Sequence, residues 1–230
     1  MAVIEGGTSA VLAEVGAVAA KALHTINKPQ DHGALGHYAV QATTGTIAAG
    51  AAAASQIFHA RWTDATRFAL INEVTLDYFR SQGTGFTAGE TIFRLTFLRA
   101  WSADGSGGTT LTLTGDNNQL RTSMGASLFG AIRISSTAAL TAGTSTPDTH
   151  DLTEKRLLVG TTTNAIWNVT AAGLASGMGL PIVMFKADIA SGEHPIVLAQ
   201  NEGIAVRATV PATGTWSITV GMKWAEVAAF

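Results

Sequence analysis

Gly214-Thr-Trp-Ser-Ile-Thr-Val-Gly-Met-Lys-Trp-Ala-Glu-Val-Ala-Ala-Phe230 is the stretch whose reading decides the fold. Trp216, Ile218, Val220, Met222 and Trp224 fall on one parity, and Ser217, Thr219, Gly221 and Lys223 on the other. Successive side chains of a strand point to opposite faces, so the stretch predicts a half-buried strand with one apolar and one polar face. The tryptophan stripe is expected to close a core. Ser217, Thr219 and Lys223 mark the side expected to make contacts, and Ala225 to Phe230 reads as a short apolar tail beyond the strand.

The same theme runs back to Gln56. Ile57 to Trp62 opens a series of strand signals, followed by Phe68 to Tyr78, Thr91 to Trp101, Thr109 to Thr114, Ala131 to Ser135, Ala165 to Thr170, Leu180 to Phe185 and Ile204 to Val210. In the third run, Phe93, Leu95 and Phe97 alternate with Arg94 and Thr96; the parity then shifts at Leu98 and Ala100, which predicts a bulge or a second buried face. Gly83-Thr-Gly85, Asp104 to Gly108, Gly115 to Asn118, Ser191 to Pro195, Asn201-Glu-Gly203 and Pro211 to Gly214 are turn chemistry between the runs. Pro211 to Gly214 reads as a compact hairpin loop joining the last two strands. Many short strands without alternating helical segments predict an all-β domain, a β-sandwich or barrel, over residues 56–230.

Residues 1–55 differ. They are rich in Ala and Gly and hold none of the five tryptophans. Val11, Leu12, Val15, Val18, Ala19, Ala22, Leu23 and Ile26 approximate a helical stripe, with Thr8 or Ser9 as a cap and Pro29 beyond its end. Asp31 to Tyr38 reads as a turn-rich loop, and Thr43 to Ser55 as a low-complexity segment. The expectation is an Ala/Gly-rich N-terminal arm with a short helix, ordered against neighbouring subunits or left as a leader.

Composition narrows the function classes. Charged residues make up 13% of the 230, against roughly 25% in an average soluble domain. A surface so poor in charge suits a protein that covers part of itself with copies or a partner. The net charge of −2 supplies no electrostatic footprint for nucleic acid or an anionic membrane. With no cysteine, disulfides, thiolate metal sites and cysteine nucleophiles are excluded. Met1 to Thr8 has no basic region ahead of an apolar run, which predicts no secretory signal. Ala39 to Ala54 lacks the bulky apolar residues of a membrane span.

No motif points firmly to catalysis. Of the six histidines, His24, His32, His37, His59, His150 and His194, two groups carry neighbouring carboxylates: Asp31-His32 with His37, and Asp148 with His150 and Asp151. Neither has the spacing of a known zinc or iron site, so local hydrogen bonding is the expected role. Gly83 to Gly89 lacks the Lys-Ser/Thr ending of a phosphate-binding loop. Asn168-Val-Thr170 matches a glycosylation acceptor but sits in a strand run. Glu73 and Asp77 are the acidic residues within strand runs and are expected on an exposed sheet face; a carboxylate pair drawn from distant strands stays open. Trp62, Trp167, Trp216 and Trp224 sit among apolar neighbours. Trp101, beside the Gly-rich turn, is the tryptophan expected to be exposed to a ligand or partner. The expectation is a protein with no enzymatic activity, cofactor or metal.

Pro195 to Val210, with Leu198-Ala-Gln-Asn-Glu-Gly-Ile-Ala-Val-Arg207 at its centre and the Trp216 to Trp224 strand after it, resembles structural proteins of tailed-phage virions. Gly16 to Tyr38, with Asn27-Lys-Pro29 and Gly33-Ala-Leu-Gly-His-Tyr38, looks like the leader of such proteins. The likeness covers about sixty residues at the two ends. It implies a jelly-roll-like module, made in the host cytoplasm and located in the virion, serving as a capsid decoration, cement or head-fibre component. The implied partners are further copies of itself, commonly in a trimer, and the major capsid protein or another virion protein. A tail or fibre adaptor and a carbohydrate-binding β-sandwich are the alternatives.

Overall fold

The computed structural model describes residues 5–6, 11–12, 36–48, 51, 53–82, 89–113, 118–120, 125–159, 181–188 and 193–228. The chain divides into two compact units, 1–31 and 32–230. In the first, β1 (Glu5–Gly6) pairs antiparallel with β2 (Val11–Leu12). Val11 and Leu12, expected on a helical stripe, are therefore strand residues; the rest of that stripe lies outside the described residues.

The second unit is all-β, built from two antiparallel sheets. Its strands are β3 (Gly36–Thr43), β4 (Ile47–Ala48), β5 (Ser55–Trp62), β6 (Phe68–Gln82), β7 (Gly89–Ala103), β8 (Thr109–Thr110), β9 (Phe129–Ile134), β10 (Thr144–Pro147), β11 (Thr153–Val159), β12 (Ile182–Lys186), β13 (Ile196–Leu198), β14 (Glu202–Thr209) and β15 (Thr215–Val227). One sheet runs β10-β7-β14-β5-β9-β8, with β11 also on β7. The other runs β12-β6-β15-β3, with β13 on β6 and β4 on β15.

The terminal stretch behaves as its parity demands. Trp216, Ile218, Val220, Met222 and Trp224 are all buried in the main core. They meet Ile71, Val74 and Leu76 of β6 and Tyr38 and Val40 of β3 from their own sheet, and Phe58, Phe93, Leu95, Ile132 and Val206 from the other, in one β-sandwich-like interior. Rings bridge the two sheets. Tyr38 stacks on Trp224 at 5.4 Å, Trp224 meets Phe129 edge-on at 5.2 Å, and Phe129 meets Trp62 at 5.1 Å. Phe93 and Trp216 make a further edge contact at 6.4 Å. Edge-to-face pairs set the positive rim of one ring against the negative face of the next, adding to the area buried.

Three expectations change. Pro211 to Gly214 does not make a hairpin: β14 pairs with β5 and β7, β15 with β3 and β6, so this loop carries the chain from one sheet to the other. The strand does not end at Trp224 but runs to Val227, because Ala225 and Val227 form a second apolar cluster with Leu70 on the outer face. Gly36–Tyr38, read as loop, begins β3, which pairs with β15 from Gly36↔Glu226 to Thr43↔Thr219. The compact unit thus begins upstream of the composition break at Ser55.

Glu226 ties the sheets at this end. Its carboxylate accepts from Ser127 Oγ at 2.7 Å, the Leu128 amide at 3.0 Å and Trp224 Nε1 at 3.2 Å, fastening the approach to β9 onto β15. Burial pushes its carboxyl above the ordinary value, and these three donors pull against that shift.

Deleting residues 1–31 is expected to leave cooperative unfolding intact. Deleting 1–55 removes β3 and strips Tyr38 from Trp224, and is expected to lower the midpoint sharply or abolish cooperativity. Urea denaturation followed by tryptophan fluorescence distinguishes the two outcomes.

Candidate functional site

The outer face of the β12-β6-β15-β3 sheet carries an open groove of about 420 Å³ lined by Gln41, Glu73, Thr75, Asp77, Gly221 and Lys223. Pairing across three strands builds it. Gln41 opposes Gly221, which opposes Thr75; one step along, Ala39 opposes Lys223, which opposes Glu73. The register of β6 against β15 then shifts, with Tyr78 opposite Thr219 and Leu76 opposite Val220, so Asp77 is the extra residue of a β-bulge. Bulges re-aim a side chain that a regular ladder would hold in line.

Asp77 leans across the place where β15 has no side chain. A Cβ on Gly221 would lie 2.6 Å from Thr75 Oγ1 and 3.0 Å from Asp77 Oδ2, too close to be accommodated without movement. Asp77 Oδ2 accepts from Gln41 Nε2 at 2.6 Å and from Thr75 Oγ1 at 3.2 Å. Beside them Lys223 Nζ donates to Glu73 Oε2 at 2.8 Å. The acidic residues expected on an exposed face are thus gathered with an amide, a hydroxyl and an ammonium. Of the polar residues of β15, Lys223 belongs to the groove, whereas Ser217 and Thr219 are buried.

The outer face of the other sheet holds a hollow of about 300 Å³ whose lining includes Gln56, Leu98, Pro147 and Arg207. Trp101, expected to be exposed, is fully buried. Ala100 takes a positive φ of 46°, and the chain turns so that Trp101 joins Leu98 and Ala205 in a small cluster, the second buried face that the parity shift predicts. Its ring lies on Gly203, where a Cβ would come within 2.6 Å of Trp101 Cζ3. Its Nε1 donates to the Ala103 carbonyl at 2.9 Å. His59 meets the ring edge at 5.1 Å and is itself buried, its Nδ1 3.1 Å from Gln56 Oε1. Burial pushes the imidazole from 6.5 down to about 4; Arg133 adds to the shift and Asp104 opposes it.

The carboxylates of the second histidine group are already engaged. Asp148 accepts from Arg99 Nε at 2.7 Å, and Asp151 accepts from Thr96 Oγ1 at 2.5 Å and lies 3.4 Å from Arg94 Nε. His150 beside them is exposed. Among the described residues, no group of three or more His, Asp or Glu side chains is placed to hold a metal. His194 Nδ1 sits 2.6 Å from the Pro195 carbonyl. Asp31, His24, His32, Gly83 to Ala88, Trp167 and Asn168 to Thr170 lie outside the described residues.

The Asn201-Glu202-Gly203 phrase has a structural use at each position. Asn201 adopts φ of 61° and accepts from Arg61 through Oδ1; Glu202 accepts from the Ala199 amide and from Arg99; Gly203 makes room for Trp101. Sequence inspection missed the Gly221–Asp77 juxtaposition, since nothing in the period-2 pattern of β6 marks the bulge that creates it. Compared with known proteins, the chain matches no family model, no curated protein and no solved structure.

Two outcomes follow for Trp101 and His59. Trp101→Ala is expected to lower stability by about 3–5 kcal/mol, the usual cost of emptying a buried aromatic site, measurable by urea unfolding. His59, with its folded pKa depressed, contributes stability that is complete above pH 6.5 and lost as pH falls through about 4. The depression corresponds to a contribution on the order of 3 kcal/mol. The stability difference between the native chain and His59→Gln should therefore shrink across that window.

Proposed function

We propose that the chain is a non-enzymatic structural protein of a tailed-phage virion, built on a jelly roll and acting as a capsid decoration or cement protein. The strand order carries the reading. Leaving aside β4, β8, β9 and β13, and taking β3, β5, β6, β7, the β10/β11 edge, β12, β14 and β15 as strands one to eight, one sheet runs one-eight-three-six and the other two-seven-four-five. Such interleaving of early and late strands across two sheets is the arrangement of two nested Greek keys, a plan used by viral capsid and lectin domains.

Three further observations accord with the virion reading. The Leu198 to Arg207 phrase that resembles phage structural proteins is spent on folding: a left-handed Asn201, Glu202 holding the Ala199 amide, and Gly203 beneath Trp101. Trp62, Trp101, Trp216 and Trp224 are fully buried, which removes the aromatic surface proposed for stacking sugars at Trp101. A chain with 13% charged residues suits a surface covered by copies of itself or by a shell. In this role the protein adds contacts between capsomers and raises the barrier to rupture of the head.

Light scattering on the purified full chain should give a mass near three times 23.7 kDa. Sedimentation with empty heads of the phage that encodes it should deplete the protein from solution, and decorated heads should rupture at a higher temperature than bare ones. A monomer that stays in the supernatant overturns the proposal, and density confined to the tail in particle reconstructions moves it to the adaptor role.

A further inference from the structure

We propose that the groove over Gly221 binds a neutral carbohydrate, with Asp77 as the main acceptor and Lys223 as the main donor. The hydrogen-bond inventory of the groove selects the ligand. Asp77 Oδ2 is occupied by Gln41 and Thr75, whereas its Oδ1 has no partner among the described residues. Lys223 uses one of its three N–H groups on Glu73 and is more than half exposed, so its remaining donors face solvent. Gln41 donates through Nε2, and its Oε1 remains an acceptor. The groove therefore offers open acceptors and open donors within one small area. A sugar hydroxyl both donates and accepts, and neighbouring ring hydroxyls satisfy such a set in pairs.

Charge argues against the other small ligands. Glu73 and Asp77 oppose an anion. Lys223, on β15 beside the β6 strand that carries both of them, opposes a divalent cation and already holds Glu73. Size and shape agree with a polyol. About 420 Å³ lies within the range of roughly 300–1,000 Å³ typical of ligand sites. Pro181 is an apolar member of the lining, available to the C–H face of a ring.

The site is held ready. Asp77 is placed by the bulge in β6, fixed by two hydrogen bonds, and permitted by the missing side chain at Gly221. Preorganised polar groups of this kind spare a ligand the cost of ordering them. The groove lies away from Trp101, so burial of that residue does not bear on it. The inference also stands apart from the virion proposal: heads that fail to bind the protein would leave it untouched.

The full chain should be titrated with glucose, galactose, mannose, N-acetylglucosamine and their α- and β-linked oligomers, by saturation-transfer NMR and calorimetry. At least one sugar is expected to bind. Asp77→Asn and Lys223→Ala should each weaken it about tenfold or more with the unfolding midpoint held, and Arg156→Ala, on the other sheet, should leave it unchanged. Silence across the panel at millimolar sugar overturns the inference, as does binding that survives both groove substitutions. If Asp77→Asn lowers the midpoint, Lys223→Ala decides alone, because its exposed side chain contributes little to the core.

Discussion

Everything in the larger unit depends on β15 lying between β3 and β6 with its tryptophan face inward. Trp216 and Trp224 stand at opposite ends of that face, and each meets a ring from the other sheet: Phe93 at one end, Phe129 at the other. The two contacts fix the separation and the alignment of the sheets together. A slip of one residue in the β15 register would turn Trp216 and Trp224 outward and bring Lys223 into the core, which the burial of an unpaired ammonium forbids. Glu226 adds a polar lock, since its three donors come from the segment leading into β9 and from Trp224 itself.

This constraint explains which parts of the fold were legible in the sequence. Alternation reports one buried face, so β5, β6, β7, β9, β14 and β15 stand out from their own residues. Alternation says nothing about which strand lies beside which. Pro211 to Gly214 has good hairpin chemistry, yet it spans two sheets, because the core selects a crossing that turn propensity cannot see. β3 was obscured for another reason. His37-Tyr-Ala-Val-Gln-Ala-Thr43 shows Tyr38 and Val40 as its only bulky apolar residues, and its small neighbours match the Ala/Gly-rich composition on either side. Its place is set by pairing with β15 and by the Tyr38–Trp224 stack, both long-range.

The candidate site was legible only as fragments. Glu73, Asp77 and Lys223 were visible as polar positions of strands, but Lys223 lies 150 residues from Glu73 in the chain and meets it only through register. The bulge at Asp77 is invisible because the extra residue is itself polar and leaves the neighbouring apolar positions on plausible parity. Trp101 failed in the opposite direction. Its Gly-rich surroundings suggest exposure, yet the positive φ of Ala100 turns the chain so that the ring lies over Gly203.

Gly203 and Gly221 put the two outer faces in contrast. Each removes a side chain from the centre of a sheet and lets a neighbour lean in. Over Gly203 the neighbour is an indole, which seals β14 beneath apolar surface and carries buried His59 at its edge. Around this seal the sheet is dressed with ion pairs, Arg94–Glu154, Arg156–Glu90 and Arg99–Asp148, each weak in solvent and together a polar coat. Over Gly221 the neighbour is a carboxylate with one oxygen unused, and the face stays open. One glycine therefore completes the fold, whereas the other costs the sheet a packed side chain and leaves polar groups that only a ligand or solvent can satisfy. That asymmetry sets the β3-β15-β6 groove, with its unsatisfied polar groups, apart from the indole-covered centre of β14.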